Sequence, residues 1–254
     1  MKTVVIGGTG LIGSKVVACL NEEGNDAVAA SLDTGVNTLT GEGLPEVLEG
    51  AEVVIDVSNS PSFEDEAVMD FFTTSTTNLL AGESDAGVRH HVALSIVGAD
   101  RLPESGYLRA KVAQERLIAD ASIPFTIVRA TQFFEFALRI ADDATDGDVV
   151  RLPDVLFQPM AADDVAAALC EISQRSPVDG VIEIAGPDRF RFDEFIQQRL
   201  MVKGDPRLVV ADPKAPYFGT QLQERSLVPT NAVHLGETHI KDWLAHPSTH
   251  PSAA

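Results

Sequence analysis

The chain is short of the features that mark secreted and membrane proteins. Its 254 residues include two cysteines, Cys19 and Cys170, and both lie within apolar helical patterns. Two thiols are too few for the disulfide framework of a small secreted domain, so we interpret both as small buried hydrophobes. No stretch approaches the ~20 apolar residues that a membrane-spanning helix needs. We therefore expect a protein that is neither disulfide-stabilised nor embedded in a membrane.

Basic residues are also scarce. The sequence has 19 Lys and Arg against 38 Asp and Glu, which gives a formal net charge of −19. So acidic a surface repels phosphate backbones and anionic lipids, and we expect no nucleic-acid or membrane partner. The chain enters a strand directly after Met1 without a charged leader, and we expect a cytoplasmic location. At this length it can bury one substantial core, or a main domain with a smaller appendage.

The first thirteen residues predict a strand, a tight turn and the start of a helix. Thr3–Ile6 is a run of β-branched and aliphatic residues, typical of a parallel strand buried on both faces. Gly7, Gly8 and Gly10 crowd the turn, where the backbone bends sharply and can approach a ligand without a Cβ in the way. Gly13 would let the helix sit close to the strand. The free N–H groups of the first helical turn, with the helix dipole, suit a pyrophosphate.

This glycine pattern resembles that of the short-chain dehydrogenase/reductase superfamily, especially its extended and atypical NmrA-like branches. The spacing is Gly7-x-x-Gly10-x-x-Gly13, with Gly8 as an additional glycine. The resemblance implies a Rossmann-type α/β fold and an NAD or NADP cofactor. The residues of this loop expected to contact the cofactor are Gly7, Thr9, Gly10, Leu11, Ile12 and Gly13. The alternative is a glycine-rich turn with no ligand.

The end of the second predicted strand, Ala27–Ser31, leaves the choice between NAD and NADP open. Asp33 lies twenty residues beyond Gly13, where a carboxylate can accept from the adenosine ribose and favour NAD. No Lys or Arg occurs between positions 15 and 89, so this half of the site offers few positive charges to bind the 2′-phosphate of NADP. Against this, Ser31 and Thr34 form a polar turn with donors for a phosphate, and NmrA-like relatives often use NADP.

Strands and helices alternate along the chain and predict a doubly wound parallel sheet with helices on both faces. The run 52–59 is a third buried strand, and its polar end falls at the carboxyl edge of the sheet, where ligands lie in such folds. A long helix over 63–86 covers the sheet, and 89–98 forms the fourth strand. The residues at the end of the third strand that we expect to line the adenosine and its ribose are Val57, Ser58 and Asn59. An ordinary Asx turn explains the last two of them almost as well.

Three polar residues in and after the fourth strand form the catalytic candidate. Ser95 lies near the strand end, Tyr107 follows twelve residues later, and Lys111 lies four residues further on the same helix face. The set resembles the serine and Tyr-x-x-x-Lys pair of short-chain dehydrogenases. Ser95 would hold the substrate oxygen and Tyr107 would exchange its proton, while Lys111 would lower the tyrosine pKa and hold the nicotinamide ribose. The alternative is a tyrosine packed on the sheet and a solvated lysine.

The fifth predicted strand, 123–129, ends where relatives place the residues around the nicotinamide. Thr131 and Gln132 could meet the carboxamide. The aromatic residues that follow, with others from the later segments, could wall an apolar substrate pocket, although such clusters are as often plain core. The expected pocket residues are Phe133, Phe134, Phe136, Phe157 and Met160, with Tyr217, Phe218 and Trp243 as further candidates.

We predict three parts: a dinucleotide-binding Rossmann core over 1–135, a small substrate lobe over 136–245 with segments returning to the core, and a disordered tail over 246–254. The adjacent His90 and His91 would point to opposite faces of a strand, and no metal site is predicted.

The expected function is an NAD(P)-dependent oxidoreductase acting on a small, fairly apolar carbonyl, quinone or alcohol. Two alternatives use the same scaffold, which hosts many chemistries. One is an NmrA-like redox sensor that binds the cofactor without catalysis. The other is an epimerase or dehydratase that uses the cofactor transiently. The expected partner is a small-molecule substrate, and a homodimer is left open.

Overall fold

The computed structural model describes residues 1–230 and 232–245. The strands, in chain order, are β1 (Lys2–Ile6), β2 (Asp26–Ala30), β3 (Val53–Asp56), β4 (His90–Ile96), β5 (Phe125–Ala130), β6 (Thr145–Asp146), β7 (Val149–Leu152), β8 (Leu156–Phe157), β9 (Gly180–Ala185), β10 (Phe190–Arg191), β11 (Leu208–Ala211), β12 (Pro216–Tyr217), β13 (Thr220–Gln221) and β14 (Ala232–Leu235). The predicted tail, 246–254, lies outside the described residues.

The α-helices are α1 (Leu11–Glu22), α2 (Leu44–Leu48), α3 (Asp65–Ala86), α4 (Gly106–Asp120), α5 (Ala137–Asp143), α6 (Ala162–Ser173), α7 (Phe192–Lys203) and α8 (Ile240–Ala245). Short 3₁₀ turns cover Leu32–Thr34, Ala99–Arg101 and Phe134–Phe136. Among the described helices, none combines the length and apolar character needed to cross a bilayer.

Within the described residues, seven strands form one parallel sheet in the order β14-β9-β5-β4-β3-β1-β2. The chain runs outward from β1 to β2, then returns past β1 and builds the rest of the sheet from β3 onward. The reversal leaves a crevice between the carboxyl ends of β1 and β3, the position at which open α/β sheets bind ligands. The predicted Rossmann-type α/β fold is confirmed.

Strand alternation explains why helices cover both faces of the sheet. Successive strand residues point to opposite sides, so Val5 packs with α1 and α6 while its neighbour Val4 packs with α2 and α3. Ile55 and Val54 repeat this division on β3. Each strand therefore has to be apolar on both faces, which is why the sequence shows continuous apolar runs rather than alternation.

The residues after β5 add a second, aromatic-rich core. The short strands β6, β7 and β11 form a three-stranded sheet, and β12 and β13 form a hairpin. The shared core includes Phe134, Phe157, Phe195 and Trp243, and it also takes in Leu108 from α4. The boundary between the parts 1–135 and 136–245 stays a prediction, because this core draws on both.

The two adjacent histidines of β4 lie on opposite faces of the sheet, as expected, and both are buried. His91 Nδ1 lies 2.8 Å from Glu83 Oε1 on α3, whereas His90 Nε2 lies 2.9 Å from Thr126 Oγ1 on β5. Burial lowers the pKa of His90 to about 4 because the imidazolium would lose its hydration; the charge of His91 adds to this shift, and Asp179 and the Ser173 backbone oppose it.

His90 should therefore make the fold sensitive to acid. In the unfolded chain this histidine is protonated below about pH 6.5, whereas in the folded protein it is protonated only below about pH 4. The free energy of unfolding therefore falls as the pH drops from 6.5 to 4. The full effect is about 3 kcal/mol. Urea unfolding at pH 7 and at pH 4.5 measures the effect. Between these two pH values a His90→Gln variant should lose less unfolding free energy than the wild type, whereas a variant of half-exposed His234, His234→Gln, should lose as much as the wild type. Equal pH dependence of wild type and His90→Gln would contradict the assignment.

Candidate active site

A cavity of about 830 Å³ opens at the carboxyl edge of the sheet, above the crevice between β1 and β3. It extends from the glycine loop past the ends of β3 and β4 to α5 and the β12–β13 hairpin. The residues that line it are Gly7, Thr9, Gly10, Leu11, Ile12, Val57, Ser58, Asn59, Phe63, Leu94, Ser95, Ile96, Tyr107, Leu108, Lys111, Ala130, Thr131, Gln132, Phe133, Phe136, Arg139, Ile140, Asp143, Ala144, Leu152, Pro216, Tyr217, Phe218 and Gly219.

The glycine loop makes one end of the cavity from backbone alone. Gly7 has φ +77° and presses against β3, where an added Cβ would lie 3.0 Å from Ser58 N. At Gly13 an added Cβ would lie 2.2 Å from the carbonyl oxygen of Gly7, so only glycine lets α1 approach the loop this closely. Gly10 caps α1 without a side-chain hydrogen bond, which leaves the N-terminal N–H groups of the helix to a ligand.

The polar turn after β2 lies against this loop but outside the cavity wall. The Thr9 hydroxyl donates to Ser31 Oγ at 3.1 Å and lies 3.4 Å from Asp33 Oδ2. Thr34 Oγ1 accepts from the Ser31 N–H at 2.8 Å, closing the turn on itself. The turn therefore places the Asp33 carboxylate next to Thr9 of the glycine loop, while the Thr34 hydroxyl is engaged within the turn.

The end of β3 links the glycine loop to α4. Asp56 Oδ1 accepts from the Ser58 N–H at 2.9 Å, an Asx-type turn that shapes the strand exit. Exposed Asn59 reaches across the cavity, and its Oδ1 accepts from the Tyr107 hydroxyl at 2.9 Å. The structure thus places Val57, Ser58 and Asn59 in the cavity wall, with Asn59 also holding the tyrosine.

Lys111 is buried beneath the cavity and its ammonium is held from several sides. Its Nζ donates to the carbonyl oxygen of Leu94 at 2.9 Å and to Gln114 Oε1, and lies 4.4 Å from the centre of the Phe72 ring. Gln114 Nε2 in turn donates to Asp56 Oδ2 at 2.8 Å. Burial lowers the pKa of Lys111 to about 8, with Asp56 opposing the shift. The lysine is predominantly protonated at neutral pH.

Tyr107 shares the cavity with Lys111, but its pKa does not follow the expectation. Burial raises the pKa of the phenol, while the nearby Arg139 charge and the hydrogen bond to Asn59 act weakly in the opposite direction. The predicted lowering by Lys111 is absent from this arrangement because the Lys111 ammonium is directed to Leu94 and Gln114. The structure presents Tyr107 as a protonated hydroxyl beside the cavity.

Ser95 lines the cavity but uses its hydroxyl elsewhere. Its Oγ donates to Glu115 Oε1 at 2.6 Å, and Glu115 also accepts two hydrogen bonds from Arg129. Arg129 completes the group by pairing with Asp100 at 2.7 Å. The Ser95 hydroxyl on β4 thus donates to a carboxylate on α4, and its contact with a substrate oxygen stays a prediction.

The aromatic pocket residues divide into two groups. Phe133 and Phe136 line the cavity and stack at 5.5 Å, and Thr131 and Gln132 lie beside them in the wall. The other expected pocket residues lie in buried core away from the cavity, so these assignments are corrected: Phe134, Phe157 and Met160, together with Trp243. Phe134 turns inward because the 3₁₀ turn at 134–136 rotates successive side chains by roughly a third of a turn.

The two cysteines are distant in the sequence, but their side chains lie close together at the interface between α1 and α6. One ligand atom each from Cys19, Cys170 and Glu23 lies within 4.8 Å of the others. Burial is the main cause that raises the pKa of the Cys170 thiol, with Cys19 and Glu23 adding to it. Cys170 is buried, so the thiol behaves as a core side chain in this arrangement.

The sequence has distant relatives among characterised proteins. No protein-family model matches it. An alignment over 162 positions is 25% identical to photosystem II assembly factor Ycf39 of Synechocystis and covers 56% of this chain but only 50% of that protein. An alignment over 221 positions is 25% identical to a (4-alkanoyl-5-oxo-2,5-dihydrofuran-3-yl)methyl phosphate reductase of Streptomyces griseus and covers 80% of this chain and 74% of that protein.

Solved structures match over nearly the whole chain. A short-chain dehydrogenase/reductase superfamily protein from Agrobacterium tumefaciens with bound NAD superposes with a TM-score of 0.73, at 16% identity over 98% of this chain and 97% of the other. This chain shares the Rossmann-type fold of that protein. A Thermus thermophilus UDP-glucose 4-epimerase in complex with NAD gives 0.69, at 17% identity over 99% and 94% of the chains. An Escherichia coli NADPH-dependent quinone oxidoreductase with NADPH gives 0.65, at 20% identity over 83% and 77%.

The Rossmann-type fold of this chain has a crevice whose shape and donor groups fit a dinucleotide. The glycine loop leaves space that Cβ atoms would fill, and the N–H donors at the start of α1, which have no side-chain cap, face this space. The cavity continues from there to Tyr107 without leaving the sheet edge. Space and donor chemistry both suit a diphosphate at one end and a planar ring at the other.

Several residues of the site escape sequence reasoning. Asp56, Gln114 and Glu115 make the buried polar contacts of Lys111 and Ser95, and Phe63 and Arg139 line the outer cavity. A signal existed for Gln114 and Glu115, which lie three and four residues after Lys111 and so share its helix face. No comparable local signal marks Phe63 or Arg139, because distant segments bring them to the cavity.

The close approach at Gly13 gives a direct test of the loop geometry. Gly13→Ala places a methyl group 2.2 Å from the Gly7 carbonyl oxygen, so backbone must shift. We expect a loss of about 1–3 kcal/mol of unfolding free energy, as for other overpacked sites, and weaker dinucleotide binding. The control is Gly180→Ala, whose new Cβ has its nearest neighbour at 3.8 Å and should change stability by no more than ~0.5 kcal/mol. Urea unfolding of both variants checks this, and wild-type stability of Gly13→Ala would refute the geometry.

Proposed function

We propose that this protein is an NAD(P)-dependent oxidoreductase that reduces or oxidises a carbonyl, quinone or alcohol group on a small molecule. The observation that carries the proposal is the continuity of one cavity from the glycine loop to the Tyr107 hydroxyl and its Asn59 partner. The relatives that are named as reductases support the same class of reaction. The chain spans only half the length of Ycf39, and nothing of that protein's assembly role is carried over.

The residues of the cofactor end are those of the loop and the β3 exit. The N–H groups at the start of α1 would hold the diphosphate, and Val57 to Asn59 would border the adenosine side of the crevice. Thr131 and Gln132 would meet the carboxamide, beside Phe133. When bound, the nicotinamide supplies or accepts the two electrons of the reaction.

Tyr107 would act as the general acid or base at the substrate oxygen. Its raised pKa keeps the proton on the phenol at neutral pH, so in the reductive direction it can donate that proton to the developing alkoxide. The Asn59 amide holds the hydroxyl in position. Lys111, held from below by Leu94 and Gln114, provides fixed positive charge at this end of the cavity, and Phe133 and Phe136 limit the access of water.

A specific observation keeps the cofactor-binding sensor as second candidate. Ser95 is committed to Glu115, so the substrate oxygen has one fewer donor than in the expected triad. A sensor would need the glycine loop but not the Tyr107 hydroxyl. Product formation without net consumption of NADH or NADPH would instead favour the epimerase or dehydratase chemistry.

Removal of the Tyr107 hydroxyl tests the catalytic role. Tyr107→Phe should lower kcat by about 10²–10⁴, as expected for loss of a positioned proton donor, while leaving the Kd of the cofactor nearly unchanged. The comparison is Tyr217→Phe, the chain's other tyrosine, which lines the same cavity; a much smaller loss of kcat in this variant than in Tyr107→Phe assigns the proton transfer to Tyr107. Both are measured by oxidation of NADH or NADPH over a carbonyl and quinone panel. Full activity of Tyr107→Phe would remove the assigned role.

For cofactor choice, we propose a preference for NADH over NADPH, carried by Asp33 beside Thr9. A 2′-phosphate at that position would meet a carboxylate rather than a cation. Asp33→Asn should shift the ratio of the two dissociation constants toward NADPH by about tenfold. Asp26→Asn, at the opposite end of β2, should leave the ratio unchanged, and calorimetric titration measures both. A wild-type preference for NADPH would overturn the proposal.

A further inference from the structure

Arg139 stands apart from the other cations around the cavity. It lies on α5 with its guanidinium exposed in the cavity wall, on a chain that has only 19 basic residues against 38 acidic ones. Within residues 1–230 and 232–245, it makes no hydrogen bond or ion pair, whereas the neighbouring Arg129 and Arg207 are each held by two carboxylates. Its one defined contact is with the Phe63 ring, whose centre lies 5.0 Å from the guanidinium carbon.

The Phe63 ring belongs to an aromatic group at the mouth of the cavity, formed by Phe63, Tyr107 and Phe218. Phe218 stacks on Tyr107 at 5.6 Å and on Phe63 at 6.2 Å, with interplanar angles of 29° in both cases. Phe218 holds a positive φ of 47° in the turn between β12 and β13, so the hairpin presents this side chain in an unusual backbone conformation. Phe63 and Phe218 remain 37% and 38% exposed, which leaves ring surface for a flat ligand.

The charges around Arg139 leave it available to an anion. Asp143 follows one helical turn later and also lines the cavity, but the two residues form no ion pair. Asp142, the other nearby carboxylate on α5, forms an ion pair with Arg207 at 2.8 Å. Arg139 also acts on Tyr107, since its charge opposes the rise in the pKa of the phenol. An oxyanion bound at Arg139 would therefore lie in the same cavity as the proposed proton donor.

We propose that Arg139 binds an oxyanion of the substrate, a carboxylate or a phosphate monoester, and that the substrate carries this group on a flat unsaturated ring that packs against Phe63 and Phe218. The inference rests on the proposed function in placing the substrate at this end of the cavity. Guanidinium groups bind carboxylate and phosphate through two parallel hydrogen bonds, and this pairing gives orientation as well as affinity. Arg139 then determines specificity by fixing the end of the substrate opposite the reacting oxygen.

Equilibrium binding of three probes tests the proposal without turnover. Benzoate, phenyl phosphate and the neutral benzyl alcohol are titrated calorimetrically into the protein, alone and saturated with NAD⁺ so that a diphosphate site on the glycine loop is filled. We expect the better of the two anions to bind about tenfold more tightly than benzyl alcohol. The order of benzoate and phenyl phosphate shows which oxyanion the site prefers.

Amino-acid substitutions test whether Arg139 causes the preference for anionic probes. Arg139→Gln should abolish the advantage of the anions while leaving the affinity for benzyl alcohol unchanged, and Arg139→Lys should retain part of it. Asp143→Asn should tighten anion binding because it removes a like charge. Arg116→Gln, an exposed arginine on α4 outside the cavity wall, is the matched control and should have no effect.

Two outcomes would overturn the proposal. Equal affinity for charged and neutral probes would show that Arg139 holds no anion, and an anion preference that survives Arg139→Gln would place the anion elsewhere. Failure of the oxidoreductase function is distinguishable, because it would appear as absent turnover while the probe titrations still report on Arg139. Where turnover exists, Arg139→Gln should raise KM for 4-carboxybenzaldehyde by a larger factor than KM for benzaldehyde.

Discussion

The approach of α1 to the loop that precedes it is the contact on which the site depends. The Gly7 carbonyl oxygen and the Gly13 backbone lie so close that no side chain fits between them, and Gly7 presses in turn on the exit of β3. The packing sets the start of α1 at the crevice between β1 and β3, with its N–H groups directed to the cavity. A wider turn would move the helix dipole away from the point where the sheet leaves room for a ligand.

The other end of the cavity depends on buried polar contacts rather than on close backbone packing. Asp56, Gln114 and Lys111 form a chain from the β3 exit to the middle of α4, so the strand that borders the cofactor crevice also positions the ammonium. Buried charges of this kind are tolerated only when their partners are in place, which makes the arrangement specific. Tyr107 sits above it and is held by Asn59 from the same strand exit. Cofactor crevice and proton donor are thus connected through a few residues after β3.

Much of the fold follows from local patterns in the sequence. Continuous apolar runs predict β1, β3, β4 and β5 because buried parallel strands need apolar residues on both faces, and the glycine spacing locates the turn before α1. Tyr107 and Lys111 are found together because a helix brings residues four apart onto one face. These features are encoded within a few neighbouring residues.

The partners of each site residue are less accessible to sequence reasoning. The sequence predicts Ser95 at the end of β4, where it lies, but the direction of its hydroxyl toward Glu115 depends on how α4 packs on β4. Phe133 and Phe134 are adjacent, yet one lines the cavity and the other fills the core, because a 3₁₀ turn decides their directions. Arg139 and Phe63 are in contact although they are 76 residues apart in the sequence, and no local pattern predicts such a contact.

Amide hydrogen exchange with and without NADH tests the central claim, that the crevice between β1 and β3 binds a dinucleotide. The account predicts slower exchange in the segments that contain Gly7 to Gly13 and Val57 to Asn59, with a smaller effect around Tyr107. Peptides from α7, on the far side of the aromatic core, should exchange as in the free protein. NADH that binds but protects other segments, or NADH and NADPH that protect none, would contradict the account.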